Sequence, residues 1–139
     1  MMLFELSGGS AVADRQTAAN HSGATRIPPL LSVIVPTRDE VDNVAPLLDA
    51  LEQAAPGVPM EIIFVDDSDD GTAEAVAEHG SRCLCEVGLI HRPAERRGDG
   101  LGGAVVEGLW VARGAWVCVM DGDLQHPPAL IAEIGRAHV

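Results

Sequence analysis

Three apolar, β-branched runs each stop at a cluster of carboxylates, and this repetition restricts the fold more than any other feature of the chain. Leu30-Leu31-Ser32-Val33-Ile34-Val35 is closed by Pro36 and enters a polar loop at residues 37–42. Glu61-Ile62-Ile63-Phe64-Val65 enters Asp66-Asp67-Ser68-Asp69-Asp70-Gly71-Thr72. Residues 115–120 end in Asp121-Gly122-Asp123-Leu124-Gln125-His126. An apolar run without alternation is the pattern of a strand buried on both faces, as in a parallel sheet. Residues 85–91 supply one more strand, third in chain order.

Helical spacing fills the gaps between these runs. Val41, Val44, Leu48, Leu51 and Ala55 recur at the helical period, and Pro56-Gly57 stops them. Pro46 is compatible if Asn43 caps this helix, because proline in a first turn loses no hydrogen bond. Residues 73–79 form a short helix ending at Gly80, and Leu101, Ala104, Val105, Leu109 and Ala112 form a third before Gly114. The order β-α-β-α-β-α-β predicts an α/β fold with a parallel sheet and helices on both faces. Right-handed crossovers then carry residues 36–40, 66–70 and 121–126 to one edge. Three acidic loops on one rim repel unless a cation or hydrogen-bond donors offset them.

The formal net charge of −12 argues against bare nucleic acid as a partner. Cys83, Cys85 and Cys118 have no zinc spacing, and their odd number fits a reducing cytosol. No apolar run approaches the roughly 20 residues of a membrane span. Residues 7–26 are rich in Gly, Ala, Ser, Thr and Asn, so 1–27 is expected to be a disordered N-terminal extension.

Asp121 and Asp123 close a buried strand one residue apart, which suits a divalent cation such as Mg²⁺ or Mn²⁺. Gly122 between them admits a close ligand. The competing reading is a solvated turn. Asp66 is expected to brace its own loop, and Asp69 and Asp70 to start the turn and cap the short helix. His126, before two prolines, reads as a turn residue. Arg92, Arg96 and Arg97 face either an anionic lipid phosphate or solvent. Trp110 and Trp116 read as packing residues.

Val35-Pro36-Thr37-Arg38-Asp39-Glu40, the stretch Val65 to Thr72 and Met120-Asp121-Gly122-Asp123-Leu124-Gln125-His126-Pro127 together resemble family 2 glycosyltransferases of the GT-A fold. The subgroup they look most like is the polyprenol (dolichol) phosphate mannosyltransferases and their glucosyl relatives. Gly100-Leu101-Gly102-Gly103-Ala104 resembles the glycine-rich helix start of that subgroup. One departure stands out: the first motif usually reads Pro-x-Tyr-Asn-Glu, and here Arg38 and Asp39 replace the aromatic and the amide. The resemblance implies a Rossmann-like GT-A nucleotide-sugar-binding half, truncated, over residues 28–133. It implies an inverting, metal-dependent hexosyltransferase acting from a GDP-mannose or UDP-glucose type donor onto polyprenyl phosphate. Nucleotide-sugar binding would fall to Pro36, Arg38, Glu40, Val65, Asp67, Asp121, Gly122, Asp123 and Gln125. Asp121, Asp123 and Gln125 would hold Mg²⁺ or Mn²⁺, with Asp121 and Asp123 as the catalytic pair.

Other readings stay open: a family 2 enzyme using a saccharide or another lipid acceptor, a non-catalytic nucleotide-sugar-binding module, or a Mg²⁺-dependent nucleotidyltransferase. The last normally carries a glycine-rich basic loop where this chain has Thr37-Arg38-Asp39-Glu40. A catalytic domain of this family continues well past Ile131, so the chain is expected to be an N-terminal fragment, inactive alone. The full-length protein is expected in the cytoplasm, at the cytoplasmic face of a membrane that it meets through its C-terminal part. Residues 134–139 read as translated sequencing adapter and are expected to be a non-native tail.

Overall fold

A computed structural model describes residues 1–5, 27–123 and 129–138. Its strands are β1 (Met2–Glu5), β2 (Leu31–Thr37), β3 (Met60–Asp66), β4 (Glu86–His91) and β5 (Trp116–Val119). Its helices are α1 (Val44–Ala54), α2 (Thr72–Gly80), α3 (Gly100–Val111) and α4 (Ala129–His138). The sheet order is β1-β5-β2-β3-β4. β2 pairs in parallel with β3 on one side and with β5 on the other, and β4 continues the parallel set beyond β3. The apolar runs therefore became the strands that their composition predicts.

Side chains alternate across the sheet, and each face has its own core. Val33, Val35, Ile62, Phe64 and Cys118 pack with Leu47, Leu48 and Leu51 of α1, Val76 of α2 and Ile131 of α4. Ile34, Ile63, Val65, Val117 and Val119 pack on the opposite face with Ala104 of α3 and with Ala112. α3 can approach β2 because Gly108 has no side chain: a Cβ there would lie 2.6 Å from Ile34 Cγ2. Helices thus cover both faces, as the β-α alternation requires.

The structure departs from the sequence reading at the N-terminus. Met2–Glu5 falls within the expected disordered extension and instead pairs antiparallel with β5, Met2 opposite Val119 and Glu5 opposite Trp116. The physical reason is the edge of β5. Trp116-Val117-Cys118-Val119 is apolar, and its unpaired N–H and C=O groups recruit any extended segment within reach. That edge of β5 is therefore covered. The rest of that extension, residues 6–26, lies outside the described residues. At the other end, α4 runs through residues 134–138, most of the stretch expected to be non-native, and Ile134 packs on the first core.

A 3-10 turn, Val41–Asn43, precedes α1. Asn43 sits at the N-cap, but its amide donates to Glu40 Oε2 at 2.7 Å and caps no α1 N–H. Pro46 falls in the first turn, where it is harmless.

The end of the sheet opposite the carboxylate rim is closed by buried Glu61. Its carboxylate accepts from Ser32 Oγ at 2.6 Å, the Arg113 N–H at 2.7 Å, Arg113 Nε at 3.0 Å and Arg113 Nη2 at 2.9 Å. Ser32 Oγ in turn accepts the Gly114 N–H at 2.8 Å. Gly114 is tightly confined, since a Cβ there would lie 2.6 Å from the backbone N of Ser32. Gly114→Ala is expected to lower unfolding free energy by about 1–3 kcal/mol through overpacking. Gly98→Ala, where a Cβ meets nothing within 4 Å, should stay within about 0.5 kcal/mol. Urea denaturation of the two variants checks the difference.

Candidate functional site

The chain leaves β2 toward β3 and β4, then returns past β2 to form β5. The crevice between the carboxyl ends of β2 and β5 is therefore a topological switch point, where open α/β sheets bind ligands. Thr37 to Glu40 follow β2, and Asp121 to Asp123 follow β5. The ladder between them is extended by the Met120 N–H, which donates to the Ile34 carbonyl at 3.0 Å. Gly122 is buried against the first loop: a Cβ there would lie 2.9 Å from Thr37 Cγ2 and 3.6 Å from Glu40 Cγ. A side chain at this position would drive the two loops apart. Asp121 is exposed and Asp123 half-buried on either side of it.

The neighbouring loop is built on Asp66, which is fully buried. Asp66 Oδ1 accepts from Thr37 Oγ1 at 2.8 Å and from Ser68 Oγ at 2.7 Å, and Oδ2 lies 2.8 Å from His91 Nδ1. One carboxylate thus ties together the ends of β2, β3 and β4, the bracing role expected of it. Backbone groups add to the lock. The Asp67 N–H donates to the Thr37 carbonyl at 3.0 Å, the Asp39 N–H to Ser68 Oγ at 2.7 Å and the Glu40 N–H to Thr72 Oγ1 at 3.1 Å. Asp39 takes φ +54°, the left-handed region in which Asn and Asp are enriched. An acid in place of the family's usual amide therefore preserves this turn.

Asp70 serves the start of the short helix as expected, whereas Asp69 is engaged by Arg97 instead. Asp70 Oδ1 accepts the Thr72 N–H at 3.0 Å and also the Thr72 hydroxyl, which ties down the first residue of α2 beside its N-cap Gly71 and lowers the Asp70 pKa. Asp69 pairs with Arg97 at 2.8 and 3.0 Å, and that contact holds its carboxyl below the usual range.

Arg92 fits neither environment expected for it. It is fully buried, the largest side chain in the chain's described interior. Its Nε and Nη2 grip the two oxygens of Asp67 at 2.7 and 2.5 Å. Nη1 reaches Asp99 Oδ1 at 2.7 Å, and Nη2 the Gly100 carbonyl at 2.9 Å. The Asp67 bonds lead in raising its pKa above the ordinary arginine value. A Pro-flanked arginine in a polar loop carries no sequence sign of burial. The glycine-rich segment after Asp99 was the available hint, because glycines at a helix start leave room for something else. Arg96 pairs with Glu107 at the surface.

The remaining site candidates are placed as follows. Pro36 and Val65 are buried in β2 and β3, Arg38 is exposed and Glu40 half-buried at the rim. Gln125 and His126 lie outside the described residues. Among the described residues no three His, Cys, Asp or Glu side chains converge on a metal. Asp121 and Asp123 remain a suitable hard-oxygen pair for Mg²⁺ or Mn²⁺, which commonly complete their shells with water and substrate phosphate. An apolar cleft of about 350 Å³ opens beside Asp121. A larger concavity, about 620 Å³, lies at the opposite end of the sheet and holds none of these residues. Cys83 and Cys85 line it, and burial pushes their thiols up to about 11 and about 12, so neither is a thiolate nucleophile at neutral pH.

Asp66→Ala would leave the Thr37 and Ser68 hydroxyls without their buried acceptor. It is expected to cost about 1–3 kcal/mol or more, read as a lowered urea midpoint, and to loosen the whole rim.

Residues 32–137 match the family model described as Glycosyl transferase family 2. A dolichol-phosphate mannosyltransferase of Pyrococcus furiosus is 40% identical over 108 residues, 77% of this chain and 29% of that protein. One from Mycosarcoma maydis is 38% identical over 140 residues, 96% of this chain and 46% of that protein. The chain thus spans less than half the length of these curated relatives. The crystal structure of mannosyl-3-phosphoglycerate synthase from Rubrobacter xylanophilus superposes with TM-score 0.54 at 33% identity, over 70% of this chain and 32% of that one. With its mostly parallel sheet, its rim of acidic loops and a family match over most of its length, the chain belongs to glycosyltransferase family 2 and has the GT-A fold.

Proposed function

We propose that the chain is the donor-binding half of an inverting, metal-dependent hexosyltransferase acting on polyprenyl phosphate. The observation that carries this reading is the Asp121-Gly122-Asp123 turn seated against Thr37 and Glu40 at the switch point of the sheet. The two carboxylates stand beside the first loop, which packs closely on their turn because Gly122 adds no bulk. Asp121 and Asp123, with Gln125, would hold Mg²⁺ or Mn²⁺. Bound there, the cation would offset the charge that develops on the leaving nucleoside diphosphate.

The protein's own groups do the rest. In this reading Arg38 and Glu40 from the first loop and Asp67 from the second would meet the nucleoside, with buried Pro36 and Val65 supporting them from β2 and β3. A carboxylate such as Asp67 accepts a base N–H and discriminates well, because the wrong base leaves it unpaired. The Asp66 lock holds both loops in place before the donor arrives, which lowers the ordering cost of binding. The acceptor phosphate is anionic near neutral pH, so its oxygen can displace the diphosphate at the sugar carbon without a strong general base. The relatives named dolichol-phosphate mannosyltransferase support a polyprenyl phosphate acceptor and a mannosyl donor; we read that donor as GDP-mannose, with UDP-glucose the alternative. The apolar cleft beside Asp121, lined by Met2, Leu101, Val105, Val119 and Met120, is surface of the kind that accepts hydrocarbon. With such an acceptor the full-length protein would work at a membrane surface, the cytoplasmic face in this reading.

Calorimetric titration with GDP and with UDP tests the site. Affinity for one of them is expected to rise when Mn²⁺ is added. Asp123→Ala should remove that gain, by about tenfold or more, while its melting temperature stays close to that of the parent because a partly exposed loop carboxylate contributes little to stability. A nucleotide affinity indifferent to metal, in folded protein, would count against the site.

A further inference from the structure

We infer that Arg92 is a positioning residue that sets nucleobase preference through Asp67, with Asp99 and Gly103 completing its socket. The inference rests on the donor-binding reading above and adds a residue that touches no ligand. Arg92 has no exposed surface, so it does not meet a nucleotide itself. Four of its hydrogen bonds are accounted for: two to Asp67, one to Asp99 and one to the Gly100 carbonyl. The guanidinium is a planar fork, and a bidentate grip fixes both the position and the plane of the carboxylate it holds.

That grip matters for what Asp67 can recognise. An ionised carboxylate has about four lone-pair sites, and the fork occupies one on each oxygen. The remaining two have directions set by Arg92. The Asp67 side chain is only 11% exposed, so it offers an incoming base a narrow, oriented acceptor rather than a swivelling charge. Guanine presents adjacent ring and amino N–H donors on one edge, and uracil presents a single ring N–H between two carbonyls. An oriented acceptor separates these two patterns. A mobile one rotates to satisfy either.

The socket extends into α3. Asp99, the N-cap residue of α3, lies across the first turn of the helix to reach Arg92. It can do so because residue 103 is glycine: a Cβ at Gly103 would lie 1.8 Å from Asp99 Cγ and 2.0 Å from each of its carboxylate oxygens. The space that a side chain at 103 would fill is occupied by the Asp99 carboxylate. The glycine-rich start of α3 is therefore part of the base-reading apparatus, although it lies on a different element from Asp67.

The test compares GDP and UDP affinities, with Mn²⁺ present, for the parent chain, Arg92→Lys and Gly103→Ala, each with its melting curve. Lysine keeps the charge and loses the fork. Gly103→Ala displaces Asp99 and so frees Arg92 Nη1, which loosens the fork without altering the Arg92 or Asp67 side chain itself, and alanine favours the helix. The expected result is that Arg92→Lys narrows the ratio of the two affinities by about tenfold and Gly103→Ala narrows it less. A purely structural role would lower the melting temperature and weaken both nucleotides equally, leaving the ratio unchanged, and that outcome in a folded variant overturns the inference alone. If Arg92→Lys does not fold, an unchanged ratio in Gly103→Ala overturns it equally. A parent chain that binds neither nucleotide overturns the donor-binding reading, and this inference falls with it.

Discussion

A buried carboxylate must be satisfied where it stands, and the rim of this sheet is organised around one. Asp66 has no contact with solvent and takes hydrogen bonds from Thr37 and Ser68 while facing the His91 ring. Those partners come from the ends of three adjacent parallel strands. Leaving such a group unpaired costs far more than an ordinary hydrogen bond gains, so the three strand ends have to arrive together. The loops that follow them inherit this rigidity. The first loop is pinned by N–H groups of Asp39 and Glu40 to Ser68 and Thr72, and Gly122 allows the last loop to settle on it.

The acidic excess of the rim is handled by a division of labour. Asp66, Asp67 and Asp70 are committed to partners within the protein, and each commitment fixes a piece of backbone. Arg92 answers Asp67 from inside, and Arg97 answers Asp69 from the surface. Asp121 and Asp123 stand on the other side of the crevice, in a turn shaped by glycine rather than by a buried charge. A cation between these two would meet a preformed wall rather than a mobile loop, which is the condition under which electrostatic stabilisation is most effective.

Much of this was legible in the residues, and the legible part is local. β2 and β3 announce themselves because a strand buried on both faces needs no polar residue for several positions. The bracing role of Asp66 follows from turn chemistry. What could not be read is what depends on distant partners. Met2–Glu5 has too few residues for a period to show, and the edge it pairs with is created only when β5 joins β2. Arg92 reads as a loop cation because its partner Asp67 lies 25 residues earlier. Besides the glycines after Asp99 a second clue was available: Ile63 and Val65 face the α3 side of the sheet, and continuing the alternation one step past β3 puts Asp67 on that side too.

That alternation explains why two adjacent aspartates have such different fates. Asp66 and Asp67 are chemically identical and one residue apart, yet they leave the end of β3 in opposite directions. Asp66 turns to the face of Ile62 and Phe64, where hydroxyls and an imidazole surround it. Asp67 turns toward α3, where only a long, forked cation reaching from the end of β4 can meet it. The first therefore serves the fold, since its removal unpins three strands. The second, held by a single side chain and kept near the surface, is left as the one whose orientation can be tuned. A pair of carboxylates at the end of a buried strand thus separates support from recognition by the two-residue period of the strand itself.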